Sequence, residues 1–305
     1  MGLLSKDDNG RSLLPVLKHV AVPALLAGFL VTATGCSITS LTIGATSGIL
    51  EGGFEAMNQE TDLQLAEAAI PADLKLLDGL ILKAPDNKEL LLLGAQGYAS
   101  YALGFVEDSS IARASEMYLR ARNYGLRILF KNKLFRGSFD GNLDGFQRAL
   151  STFERRDVPA VFWTANAWGN YINLNRDNIE ALADLPKVEA MMRFVLKNDE
   201  AYFYGGAHIF FGTIEASLPP IFGGDTTSAR SHFERAIQIS DGKFLMAYYY
   251  YAKTYAVMRQ DKGLFESLLN KVINAPDRIL IQQDLANAIA KSKSKALLER
   301  ENDYF

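Results

Sequence analysis

The sequence predicts an all-α protein. Three observations carry this: apolar residues recur at three- and four-residue steps, strict alternation is scarce, and prolines are few where the periodicity is strongest. Nine prolines occur in 305 residues, and between Asp86 and Leu218 only Pro159 and Pro186 do. From Glu89, the positions Leu90, Leu93, Gly94, Gly97, Tyr98 and Tyr101 mark one helix face. Ile111, Ala114, Tyr118 and Ala121 mark the next, and Ala229, Phe233, Ala236 and Ile237 a later one. Asp86 and Gly223-Gly224-Asp225-Thr226 fit helix starts, whereas Ala84-Pro85 and Ala275-Pro276 fit helix ends.

The spacing also specifies how the helices pair. Ala114–Tyr118–Ala121 and Ala229–Phe233–Ala236 share one pattern: Ala, an aromatic four residues on, Ala three further. Small residues are needed where two helix axes approach within about 8–10 Å. The second helix of a tetratricopeptide (TPR) repeat has that pattern, and Leu93-Gly94 with Tyr98 loosely matches the first. The expected architecture is a TPR-like array of about four degenerate antiparallel helix pairs. Their expected ranges are 71–130, 158–198, 199–240 and 243–274, with a closing C-terminal helix over 278–300 and an interruption at Lys131–Leu150.

The N-terminus has a different chemistry. Lys6, Arg11, Lys18 and His19 precede the apolar run Val20–Leu30, and Ala33-Thr34-Gly35 leads to Cys36, the single cysteine. A basic segment, a short apolar core and small residues before a cysteine resemble a bacterial lipobox. The expected organisation is therefore a lipoprotein signal peptide over 1–35, a lipidated N-terminus and tether over 36–60, and a helical domain over 61–305. Ser37 in place of Asp favours the outer membrane, so the expected location is the periplasmic side of that membrane.

Composition removes several functions. The 32 basic and 35 acidic side chains are near balance, against a nucleic-acid binder with its basic stripe. One cysteine and three histidines exclude an internal disulfide framework and leave little for a metal centre. Asp140-Gly-Asn142-Leu-Asp144-Gly145 begins like an EF-hand loop, but the twelfth position is Ser151 and not Glu, so a turn between helices is expected. Asp184 and Glu189 bracket Pro186 as a helix start. No HExxH, phosphate-binding loop or GxSxG elbow occurs. Neither a cofactor, a metal nor a catalytic residue is expected.

Aromatic residues are the remaining candidates. Tyr202, Phe203, Tyr204, Phe210 and Phe211 crowd one expected helix; Phe244, Tyr248, Tyr249, Tyr250, Tyr251 and Tyr255 crowd another. Four consecutive tyrosines step about 100° each around a helix, so a single core face cannot hold them all. Trp163, Trp168, Tyr204, His208 and some of Tyr248–Tyr251 are the expected lining of an apolar, hydrogen-bonding groove for a ligand or partner. Trp163 and Trp168 lie about 140° apart, so at most one points squarely into it.

One series of stretches comprises the segment Ala114–Arg127, Trp163 with Ala167-Trp168-Gly169, and Ala183-Asp184-Leu185-Pro186. Gly223-Gly224 with Ala229-Arg230 and His232-Phe233, Leu285–Ala288 and Leu297–Arg300 continue it. Together these stretches resemble the T component (TatT) of tripartite ATP-independent periplasmic (TRAP) transporters. The resemblance implies a non-enzymatic, lipid-anchored accessory protein beside a periplasmic solute-binding protein and the membrane permease subunits. It leaves homo-oligomerisation open. Docking the solute-binding protein, and relaying a partly apolar organic ligand, is the expected function. The alternative is an outer-membrane TPR-like scaffold for envelope protein assembly, and the neighbouring genes separate the two.

Overall fold

A computed structural model of the chain describes residues 48–219, 221 and 223–305. The expected signal peptide, Cys36 and the first part of the expected tether, up to residue 47, lie outside the described residues. The chain divides into units 1–50 and 51–305, and the second carries the helical array. Its elements are helical throughout, with no strand among the described residues.

Residues 51–58 lie in a helix, α1. Then α2 (Leu63–Lys83) starts on Asp62, whose carboxylate accepts from the amides of Gln64 and Leu65. Asn87, and not the expected Asp86, caps α3 (Lys88–Tyr101) in the same way. The two residue types are near-equal caps, and the chain leaves Pro85 one residue later than the sequence pattern implies. A π-helical turn, Ala102–Val106, ends α3, and Ser110 caps α4 (Ile111–Leu129).

The expected interruption contains two short helices, α5 (Lys133–Ser138) and α6 (Leu143–Leu150). They bury Phe135 and Phe146 completely, each contributing about 1.5–3 kcal/mol. Asn142 caps α6, so the EF-hand-like stretch is the turn between these helices. Next come α7 (Val158–Leu174), α8 (Ile179–Ala183) and α9 (Leu185–Asp199), the last with Pro186 in its first turn. The remaining pairs are α10 (Tyr202–Ser217) with α11 (Thr226–Ile239), and α12 (Met246–Tyr250) with α13 (Lys262–Ile273). A second π-helical turn, Tyr251–Ala256, extends α12. The closing helix is α14 (Asp284–Glu299).

Sequential neighbours pack together: α3 on α4, α10 on α11, α13 on α14, with α7 bridging α4 and α9. This succession is consistent with the expected pairs, although the first begins at Leu63 rather than 71. Ala114, Tyr118, Ala121, Ala229, Phe233 and Ala236 are all 0% exposed, as close helix contacts require. Ile111 departs from its expected face: it is the first residue of α4 and is exposed.

A buried ion pair ties the ends of the array. Lys293 of α14 reaches Glu107, which follows the first π-turn, at 3.3 Å, and also pairs with Asp108. The Tyr118 hydroxyl donates to the other Glu107 oxygen at 2.8 Å. The Lys293 and Glu107 side chains are only 7% and 10% exposed, so neither charge is dispensable to the other.

Candidate functional site

The start of α10 holds the most unusual backbone of the domain. Phe203, Tyr204 and Gly205 have φ of 47°, 57° and 76°, a left-handed break inside what the aromatic run presents as one helix. Such a conformation costs roughly 1–2 kcal/mol for each non-glycine residue. Gly205 is required on two grounds: its φ, and Ala236 of α11, whose Cα would lie 3.1 Å from a Cβ there.

Aromatic packing holds the break. The Phe203 ring meets Trp163 at 4.7 Å and Phe244 at 5.6 Å, both edge to face. Tyr204 stacks on Phe244 at 5.1 Å. Each such pair adds about 0.5–1.5 kcal/mol beyond simple burial, enough in sum to offset the strain. Burial pushes the neighbouring Tyr202 phenol up to about 12. Trp163 is buried, and its indole nitrogen makes no well-formed hydrogen bond, although the Tyr202 phenol is close enough to feel it. Strained backbone concentrates where a fold binds or switches, so this seam is the candidate site.

The structure brings Trp163 and Tyr204 together through Phe203, but not Trp168. That side chain is buried elsewhere, stacked on Phe139 at 5.5 Å with the Arg122 guanidinium 5.4 Å from its ring. Tyr248, Tyr249 and Tyr251 are buried and Tyr250 is half-buried. They share one apolar core, against which Phe203 and Tyr204 pack. Four tyrosines in a row can be enclosed because α12 is flanked by α10, α11, α13 and α14, so no side of it is an outer face. Tyr251 stacks on Phe233 at 4.9 Å, and burial raises its phenol to about 12. Burial also raises Tyr249, and it raises Tyr250 well above the ordinary phenol range, with Glu107 adding to both.

His208 belongs to a polar seam that sequence spacing hid. The Nδ1 atoms of His208 and His232 are 2.8 Å apart, so one ring donates and the other accepts. His208 Nε2 lies 3.3 Å from Glu200, which also pairs with Arg235. His232 Nε2 is 3.8 Å from Glu215. The sequence offered neither histidine a Cys, Asp or Glu at ligand spacing; the fold supplies a carboxylate to each, from residues eight and seventeen positions away. Burial lowers both imidazole pKa values, which keeps the pair neutral at pH 7. No group of three or more metal-ligating side chains forms among the described residues.

A half-open cleft of about 600 Å³ lies between α14, the loop before it and the start of α2. Asp277, Arg278, Asp284, Lys291 and Lys295 line it. Sequence reading missed these residues, because scattered charges on a C-terminal helix look like a solvated face.

Stacked helical arrays present extended surfaces on which other molecules can be held. Residues 59–305 match the family model of the TRAP transporter T-component, and the chain belongs to that family. An accessory role in a TRAP transporter follows from this membership. A search of curated proteins found no match.

Proposed function

We propose that this protein is a lipid-anchored periplasmic accessory that docks the transporter's solute-binding protein and passes a partly apolar organic ligand along the aromatic seam. Its permease partners sit in the inner membrane, and Cys36 holds the domain to the outer one. The organisation in this proposal is a signal peptide over 1–35, a tether over 36–60 and a helical domain over 61–305. No helix among the described residues is long and apolar enough to cross a membrane, and this reading places attachment on the acyl chains of Cys36.

The observation that carries the ligand reading is the left-handed break at Phe203–Gly205, seated on Trp163 and Phe244. Relaxing it toward ordinary helix moves two rings at once and opens apolar surface beside the Trp163 indole nitrogen. Tyr248–Tyr251 supply the deeper wall, His208 the polar end, and Trp168 braces α7 from the other side.

Tryptophan fluorescence during titration with decanoate, an apolar carboxylate, tests this. A saturable change is expected in the wild type and in Trp168→Phe, and its loss in Trp163→Phe. No saturable change with both tryptophans intact would confine these residues to packing.

A further inference from the structure

The cleft beside α14 is separate from the aromatic seam, and its lining is of mixed charge. Asp284, Asn287, Lys291 and Lys295 follow at three- and four-residue steps and so share one face of α14, the floor of the cleft. Asp277 and Arg278 form a wall, and Thr61 and Leu63 close one side. The volume lies within the roughly 300–1,000 Å³ of small-molecule sites.

Asp284 is the informative residue. Its side chain is 2% exposed, and its Oδ2 accepts no hydrogen bond. The Nε of Arg278 stands 3.7 Å away, beyond hydrogen-bonding distance. Asn287, one turn along, cannot turn to help. Its Oδ1 accepts from the Leu245 amide at 2.9 Å, and its Nδ2 donates to the Lys243 carbonyl at 2.9 Å. A buried carboxylate oxygen without a donor is costly, so an arriving N–H gains more there than at the surface. Beyond it, Arg278, Lys291 and exposed Lys295 present three cations, with Lys291 held in place by Asp277 at 2.5 Å.

We propose that this cleft binds a compact zwitterion, an oxyanion with a primary ammonium group a few bonds away. The ammonium donates to Asp284 Oδ2, and the oxyanion lies against Arg278, Lys291 and Lys295. A simple anion would leave Asp284 without a donor and face its charge. A simple cation would satisfy Asp284 but leave unmatched the excess of positive charge that Arg278, Lys291 and Lys295 carry over Asp277. Arg278 sits at φ 59°, a left-handed conformation that only surrounding structure maintains, and this places its guanidinium over the carboxylate. Two sources carry this chemistry: the ethanolamine headgroup of a phospholipid, and a free amino acid. The first source is favoured where Thr61 follows the stretch that tethers the domain to the membrane, a point that rests on the proposed lipid anchor.

The test uses the full-length chain with Cys36→Ala, so that no acyl chain contributes to binding. Calorimetric titration with glycerophosphoethanolamine, L-alanine and glycerophosphocholine reads the site directly. Saturable binding of at least one primary-ammonium compound is expected, with glycerophosphocholine at least tenfold weaker because its quaternary nitrogen has no N–H. Asp284→Asn should weaken binding at least tenfold. Arg278→Gly should do the same while folding normally, since glycine adopts that φ without strain. Co-sedimentation with phosphatidylethanolamine vesicles over phosphatidylcholine vesicles assigns the lipid source; binding of alanine without such retention assigns the soluble one. No saturable binding of either primary-ammonium compound, equal binding of the choline compound, or unchanged affinity in Arg278→Gly overturns the proposal. None of these readouts depends on lipidation or on the aromatic seam.

Discussion

Replacing Ala236 by Leu places three additional carbons where α11 meets the left-handed break of α10. Ala236 is 0% exposed, and the space before it is limited by Gly205, whose added Cβ would already meet the Ala236 Cβ at 3.4 Å. The intrinsic helix propensities of Ala and Leu are close, so the effect is one of packing. Overpacking a filled contact costs about 1–3 kcal/mol. In a domain of this size each kcal/mol lowers the melting temperature by roughly 2–4 °C, so the loss is about 4–8 °C for a 2 kcal/mol penalty. Circular dichroism at 222 nm reads the melting temperature. The near-ultraviolet signal reads the break itself, because Phe203, Tyr204, Phe244 and Trp163 move with it. A variant that melts with the wild type and keeps its near-ultraviolet spectrum would show that this face of α11 does not abut Gly205, and the reasoning would fail.

Three further outcomes are expected. Lys293→Met leaves Glu107 buried without its cation and should cost about 3 kcal/mol in urea denaturation, largely recovered in Lys293→Met/Glu107→Gln; an unchanged midpoint would contradict the buried pair. His208 and His232 have folded pKa values below the unfolded 6.5, so the unfolded chain takes up more protons as pH falls. Their contribution is complete above pH 6.5 and is lost on acidification through the folded values, whereas Glu200, lowered by Arg235 first, gives way only in the more acidic carboxylate range. The melting temperature should therefore fall between pH 7 and about pH 5, and His208→Asn/His232→Asn should flatten that slope; a slope equal to the wild type's refutes the assignment. Cys36→Ala should release the protein from membranes, and an unchanged fractionation together with an unchanged mass of the N-terminal peptide would rule out lipidation.

What could be read in advance divides along physical lines. The all-α class and the contacts at Ala114–Ala121 and Ala229–Ala236 were legible, since amphipathic periodicity and small residues at helix crossings are local properties. The break at Phe203–Gly205 was not, because aromatic residues disfavour φ > 0 and only tertiary packing on Trp163 and Phe244 holds them there. Gly205-Gly206 within the aromatic run was the one available signal. The His208–His232 contact joins two helices, and the cleft draws on positions from Thr61 to Lys295; neither follows from spacing. That at most one of Trp163 and Trp168 meets the seam was legible from their 140° separation, but which one was not, since the rings that receive them, Phe203 and Phe139, come from other elements. The π-turns after α3 and α12 left no mark in the pattern at all.

The central claim, docking of the transporter's binding protein, is tested most directly by measuring association between the full-length protein in detergent and the solute-binding protein of the same transporter. Biolayer interferometry should give a saturable complex at micromolar concentration or below, with no complex when an unrelated periplasmic binding protein is substituted. Absence of association at micromolar concentration, in the presence and absence of transport substrate, would contradict the account and move the protein toward an envelope-assembly scaffold.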